Sequence, residues 1–443
     1  MLGEYAITGG RANEIAASVE LGISSGALPP GSVLPPMREL AGRLGVNPNT
    51  VAAAYRTLRE RGLIDTDGRR GSRVRAKPAT LAREAIRLPL PPGVRDVADG
   101  NPDAALLPPL ADALAAAARR YARRPGQYGD DVVDPDLERL ARAAFDADGV
   151  PAGPVVLTSG SLDAIERVLA AHLKPGDPVG IEDPGWGSLH DLVPALGLRV
   201  VPFALDDDGP RPEGVAAALD KGVRALIVTD RAQNPTGAAV TAGRAAELRE
   251  LLSRHPHVLV IDDDHGHGIV EQPLHTLAGA TRSWAFVRST AKAYGPDLRL
   301  AVLTADRVTA DRVAGRHLLG PGWVSHLLQY AVVDLWERGT LDTAAVARSY
   351  SERRDALVAA LERLGVAARG RSGFNVWVPV ADETGAVARL QAAGWAVAPG
   401  ARFRVDSPPA VRLSVSQLAS EDVAELARAV AEAVRPGRGA RYV

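Results

Sequence analysis

Apolar residues recur every four positions in "NEIAASVELGISSG", at Ile15, Val19 and Ile23, and this spacing predicts a helix. "ALPPGSVLPP" breaks the pattern. "MRELAGRLG" then reads as a short helix ended by Gly45. "VNPNTVAAAYRTLRERG" reads as a second, with Asn47 as N-cap and Pro48 at the first helical position. "LIDTDGRRGSRVRA" alternates like a hairpin around a basic turn. Two short helices about a glycine turn, followed by a basic hairpin, make a winged helix-turn-helix pattern. A small three-helix packing module with a solvated hairpin is the plainer alternative.

Beyond this head the period changes. Residues 76–96 are rich in proline and alanine without clean periodicity and read as a linker. From 97 onward, strand-like and helix-like runs alternate. "PVVLTSG", "PVGIED", "VRALIVTD", "HVLVIDDD", "WAFVRST" and "RLAVLTAD" are strand-like, and "SLDAIERVLAAHL" is helical. Such alternation predicts an α/β domain with a mainly parallel sheet and ligands at the carboxyl ends of its strands. The expected division is therefore a winged-helix head over 1–75, a linker over 76–96 and an α/β domain over 97–443. No internal repeat and no GxGxxG is present, so dinucleotide binding has no support.

Charge sharpens the division. The chain is nearly neutral at −1, yet residues 1–77 hold eleven basic and seven acidic side chains, a net of +4, leaving −5 for the remainder. Within 56–77 the balance is eight basic to three acidic. A basic head on an acidic body suggests that the head meets a polyanion. In that case Asn49 and Thr50 would reach base edges from the second helix, while the wing arginines Arg69, Arg70, Arg73 and Arg75 would contact phosphates. With no cysteine, disulfides, thiolate metal sites and cysteine nucleophiles are excluded. No apolar run approaches the ~20 residues of a membrane span, and "MLGEYAITGG" lacks the features of a signal peptide. The expectation is a cytoplasmic protein with no membrane partner.

One lysine stands out. Only four of the 52 basic residues are lysine: Lys77, Lys174, Lys221 and Lys292. Arginine serves most electrostatic roles but cannot form an imine, whereas a lysine amine can. Lys292 sits in "RSTAKAYGPDLR", three residues after Ser289 and seven before Arg299. Composition alone also permits a plain surface lysine, so its surroundings have to decide. "TSGS" places Gly160 and Ser161 at a helix N-terminus, which suits an anion such as phosphate. "EDPGW" supplies an aromatic, Trp186, and "IDDDHGH" a cluster of carboxylates and imidazoles. A phosphate cradle, a buried carboxylate, an amine and an aromatic plate are the parts a pyridoxal phosphate site needs. Asp262, Asp264, His265 and His267 also admit a divalent-metal reading, although adjacent ligands at one strand end rarely close a coordination sphere.

These motifs together carry two resemblances. "LPPMRELAGRLGVNPNTV" resembles the GntR-type winged helix, which implies that Arg38, Asn47, Asn49, Thr50 and the wing arginines face DNA; Pro48 departs from the polar or basic residue many relatives carry. "SGSLDAIE", "EDPGW", "NPTG", "IDDDHG", the Ser289–Lys292–Arg299 spacing and "VRLSVS" resemble a fold-type I aminotransferase over about 97–435. That resemblance implies Lys292 as the Schiff-base lysine, Asp263 as the pyridine-nitrogen partner, Trp186 as the stacking ring and Asn234 as the neighbour of the cofactor's O3′. It further implies Ser289 and Arg299 as phosphate ligands, Arg412 as the holder of a ligand carboxylate, and Tyr128 as reaching a partner subunit's phosphate. His265 stands where the family has a tyrosine beside O3′; an imidazole there can still donate a hydrogen bond to O3′, but it titrates near neutral pH. The combination resembles MocR-type transcription regulators. It implies bound pyridoxal 5′-phosphate, an amino-acid-like or vitamin B6 effector, promoter DNA and a head-to-tail homodimer. A working aminotransferase with an appended head is the rival expectation.

Overall fold

The computed structural model describes residues 5–25, 27–60, 63–66, 71–74 and 90–435. Arg69, Arg70 and Arg75 lie outside them. In the head, α1 (Ala12–Ser24), α2 (Met37–Leu44) and α3 (Pro48–Glu60) pack around Ile15, Val19, Leu40, Val51, Tyr55 and Leu58. Gly45 ends α2 at φ +66°, a left-handed conformation that a side-chain-bearing residue adopts only with strain. The side chain of Asn47 accepts from the Asn49 N–H at 2.8 Å, satisfying a donor that the first turn of α3 leaves without a helical partner. Strands β1 (Ile64–Thr66) and β2 (Ser72–Val74) pair antiparallel as the stem of the wing.

The body is built on an eight-stranded sheet. In chain order its strands are β4 (Val155–Thr158), β5 (Pro178–Asp183), β6 (Arg199–Asp206), β7 (Gly209–Pro210), β8 (Ala225–Thr229), β9 (Leu259–Asp264), β10 (Ser283–Ser289) and β11 (Ala301–Ala305). In space they run β4-β11-β10-β9-β8-β5-β6-β7. The neighbours from β10 through β9, β8 and β5 to β6 are all parallel. β11 runs against both its neighbours, and β7 against β6. Near-continuous apolar runs such as "ALIVT" in β8 fit a sheet buried on both faces. Side chains alternate between the faces. Ile227, Ile261, Val287 and Leu303 face a layer containing α6 (Ser161–His172) and, farther along the chain, α7 (Gly187–Ala195) and α11 (Arg307–Leu318). Leu226, Val228 and Val260 face α8 (Pro212–Asp220) and α9 (Ala242–Ser253). The helices α4 (Ala111–Arg123), α5 (Pro135–Ala147) and α12 (His326–Glu337) pack against one another near the β4 edge, and the short α10 (Ala291–Tyr294) follows β10.

A smaller subdomain follows. The long α13 (Thr343–Arg363) leads into β12 (Asn375–Pro379), α14 (Glu383–Ala392), β13 (Trp395–Ala396), β14 (Ala398–Pro399), β15 (Ala410–Ser414) and α15 (Val423–Val434). Arg95 and Asp96, placed in the linker by composition, form β3 (Arg95–Asp96) parallel to β13. The reason is tertiary: Arg95 lies 3.6 Å above the Trp395 ring and pairs with Asp422 at 2.7 Å.

Asp183, at the end of β5, joins the two parts of the body. Its carboxylate accepts from the N–H groups of Val405, Asp406 and Ser407 and from the Ser407 hydroxyl, at 2.7–2.9 Å. Hydrogen bonds to a charged acceptor contribute roughly 1.5–3 kcal/mol each, though not additively. Asp183→Ala should therefore destabilise the body by at least about 2 kcal/mol, read as a lower midpoint in urea unfolding followed by tryptophan fluorescence.

Candidate active site: a cofactor cavity at the strand ends

Parallel strands bring their carboxyl ends to one edge of the sheet, and β11, running the other way, begins at that edge. The turns after β4, β5, β8, β9 and β10 therefore meet the segment that precedes β11. Between them and the small subdomain lies a cavity of about 740 Å³. Gly160, Ser161, Trp186, Asn234, His265, Ser289, Lys292, Arg299 and Arg412 all line it. Asp263 lies buried beside His265. Tyr128 is elsewhere: it is 94% exposed and meets Trp323 edge-on at 5.5 Å.

One end of the cavity suits a phosphate. Ser161 begins α6, and its hydroxyl is buried with no hydrogen-bond partner. Arg299 reaches the same turn from the other side, its Nη2 donating to the Ser159 carbonyl at 2.6 Å. Its backbone is left-handed at φ +44°, a conformation that costs a non-glycine residue about 1–3 kcal/mol and clusters at functional sites. Gly160 makes room for it. At φ +109°, any Cβ there would also lie 2.6 Å from Arg299 Nη2. Ser289 accepts from the Ala291 N–H at 3.1 Å, which sets the turn into α10.

The reactive groups sit deeper. Lys292 Nζ donates to the Gly100 carbonyl at 2.6 Å and lies 5.5 Å from the Phe374 ring centroid. Asp263 has one oxygen, Oδ2, within 3.3 Å of His265 Nδ1, while its buried Oδ1 has no partner. The two orphaned atoms, Ser161 Oγ and Asp263 Oδ1, are an unsatisfied donor and acceptor of the kinds a phosphate and a protonated ring nitrogen would complete. The residues present therefore fit pyridoxal phosphate. His265 differs from the expectation of a free donor for O3′. Its Nε2 is 2.8 Å from the Ala232 carbonyl, so both ring nitrogens are already engaged.

The neighbouring aspartates serve structure. Asp262 accepts from Thr276, Leu277 and Ala278. Asp264 holds Arg231 at 2.8 and 3.0 Å and Arg288 at 2.9 Å. Arg288 reaches on to Asp148 at 2.5 Å. Burial alone would raise the Asp264 pKa, but the two guanidiniums hold it far below the usual carboxylate range. Burial and the charge of Arg288 push His267 down to about 4, so it is neutral at pH 7. Among the described residues, no group of three or more His, Asp or Glu side chains is placed to hold a metal ion.

Apart from Arg412, which the family resemblance already named, the following participants had no role assigned from the sequence. Glu182, at the end of β5, is buried and accepts from Thr229 and Gln233 at 2.9–3.0 Å. Burial outweighs those bonds and pushes it up to about 7. Arg412 is buried on β15, gives Nη1 to Asn234 at 3.0 Å and Nη2 to the Ala98 carbonyl at 2.5 Å, and lies 4.6 Å from the Phe403 ring. Phe374, Asn375 and Phe403 complete that wall. Only pairing in space reveals them.

The fold and its site define a pyridoxal-phosphate-dependent aminotransferase-like body with a winged-helix head. Residues 96–430 match the family model "Aminotransferase class I and II", and residues 11–74 match "Bacterial regulatory proteins, gntR family". The chain belongs to the MocR-type transcription regulators that combine the two. It is 39% identical over 436 residues to the vitamin B6 salvage pathway transcriptional repressor PtsJ of Salmonella typhimurium, covering 97% of this chain and 99% of that one. It is 27% identical over 312 residues to the pyridoxine biosynthesis transcriptional regulator PdxR of Corynebacterium glutamicum, covering 68% of this chain and 63% of that one. Kynurenine aminotransferase from Pyrococcus horikoshii has the same fold, with a TM-score of 0.70 at 21% identity over 77% of this chain and 91% of that one.

Gly160→Ala should lower the affinity for pyridoxal phosphate by at least about tenfold, since it adds both backbone strain and a clash at the phosphate end. Titrating the apo-protein with the cofactor and following its absorbance checks this.

Proposed function

We propose that the protein is a ligand-controlled transcription regulator. Its head, about 1–75, binds promoter duplex DNA, and its body, beyond a linker, holds pyridoxal 5′-phosphate through Lys292 and senses a B6 vitamer or a small amino acid. The observation that carries this reading is the near full-length likeness to a vitamin B6 salvage repressor, spanning head and body alike. When bound, the cofactor supplies an aldehyde for amines and an electron-withdrawing ring. In this reading Lys292 provides the attaching amine and Asp263 Oδ1 meets the ring nitrogen. Gly160, Ser161, Ser289 and Arg299 take the phosphate, Trp186 covers the ring, and Arg412 receives an effector carboxylate by exchanging its bonds to Asn234 and Ala98.

The head supports the DNA role. Arg38, Asn47 and Asn49 are exposed and Thr50 is partly so, Arg38 at the start of α2 and the others at the turn into α3 or in its first turn. Arg73 is exposed on β2, where its Nη1 donates to Gly31 O at 3.2 Å. Two copies would pair head-to-tail. The apolar side chains Leu318, Leu319 and Tyr128 are 62%, 89% and 94% exposed, and in this reading a second copy would cover them. A protein that binds promoter DNA would work in the cytoplasm, and no helix among the described residues is long and apolar enough to cross a membrane.

The rival is an active aminotransferase, favoured by a cavity that keeps the lysine, aspartate and arginine of such enzymes. Turnover separates the two: repeated product formation from an amino acid and a keto acid would put the enzyme first. Two further outcomes are expected. Borohydride should fix the cofactor to the wild-type protein and not to Lys292→Ala. Binding to the DNA upstream of the protein's own gene should weaken with salt, and Arg73→Ala should flatten the log–log slope by about 0.9. Retention of that binding after deletion of residues 1–75 would reject the DNA-binding assignment.

A further inference from the structure

Two neighbours hold the His265 ring, and they constrain its protons. The Ala232 carbonyl can only accept, so Nε2, 2.8 Å away, must carry hydrogen. If the ring were neutral, Nδ1 would then be a bare lone pair, pointed from 3.3 Å at the Asp263 carboxylate. That arrangement sets acceptor against acceptor. It becomes attractive only with a proton between them, and imidazole is the more basic of the two groups.

We propose that His265 is held as an imidazolium, giving one proton to Ala232 O and the other to Asp263 Oδ2, and so acts as a positioning residue for Asp263. This rests on the reading that the cavity takes pyridoxal phosphate. The cation fixes the carboxylate through Oδ2 and leaves the buried Oδ1 as the atom for the cofactor's ring nitrogen. It also draws on the negative charge that would hold that nitrogen protonated. A phenol at this position would have no such effect, because it stays neutral at physiological pH. The chain would thus bind the cofactor in the usual orientation while weakening the ring as an electron sink, which suits a sensor better than a catalyst.

The surrounding charges are few. Asp263 faces the ring from β9, and Lys292, on α10, opposes its protonation. Arg231, next to Ala232, is spent on Asp264. Ala232 itself is held at φ +55°, with its N–H donating to the Ser372 hydroxyl at 2.7 Å, so the carbonyl that receives His265 is fixed in place. Burial lowers the His265 pKa, but the hydrogen bond and charge of Asp263 outweigh it, leaving the group above its ordinary value of 6.5. A raised histidine pKa contributes stability below 6.5, and that contribution is lost as pH rises through the folded value.

The test is nitrogen NMR of the cofactor-free, full-length protein labelled at histidine, with the His265 signals identified by their loss in His265→Gln. Both ring nitrogens should read as protonated at pH 6.5, with a midpoint above 6.5, and in Asp263→Asn the midpoint should fall below 6.5. A wild-type ring that titrates at or below 6.5, or holds a single proton on Nε2 at that pH, would overturn the proposal. A midpoint unmoved by Asp263→Asn would also overturn it. Because the measurement uses no cofactor, failure to bind pyridoxal phosphate would sink the reading of the cavity and leave the histidine result standing.

Discussion

Three consecutive carboxylates at the end of a buried strand are the constraint around which this body is arranged. An ionised carboxylate in an apolar interior is tolerated only when paired or richly hydrogen-bonded. Strand alternation sends Asp262 and Asp264 to one face and Asp263 to the other. Asp262 is met by a hydroxyl and two backbone N–H groups, and Asp264 by two arginines. Asp263, adjoining the cavity, is left half satisfied. The middle residue is free to meet a ligand because its neighbours have fixed the strand end.

The second arginine of that arrangement shows how structure and chemistry share residues. Arg288 stands directly opposite Asp264 in the parallel β9–β10 register, one residue before Ser289 and four before Lys292. Tying β10 to β9 at that point also sets where the turn carrying the lysine begins. The reversal of β11 does the same for Arg299, which reaches the common edge because its strand starts there. A parallel β11 would carry that arginine to the opposite end of the sheet.

Much of this was legible from local signals. Gly45, Asn47 and Pro48 mark the helix boundaries of the head, and the apolar runs mark six strands of the large sheet. Lys292 stood out against a background of arginine. What could not be read was pairing at long range. Nothing near Asp264 in the chain announces Arg231 or Arg288, and nothing near Arg95 announces Trp395. His265 is the instructive case. The residue type suggested a donor for the cofactor, but a carbonyl from the loop after β8, 33 residues earlier, takes that hydrogen first. Sequence gives the chemical repertoire of a side chain, and packing decides which part of it is used.

The clasp made by Asp183 bears on how anything enters or leaves. Three residues after Asp183 comes Trp186, and Gly185 N–H donates to the Phe403 carbonyl at 2.7 Å. The wall carrying the indole and the wall carrying Phe403 are thus stitched together along one seam and cannot part separately. The cavity's exposed lining residues, Leu90, Asp96, Asn101, Pro296, Arg299 and Gln391, lie on other segments. The open rim is thus set by the remaining segments, and two of its residues, Leu90 and Asp96, belong to the stretch that follows the head in the chain.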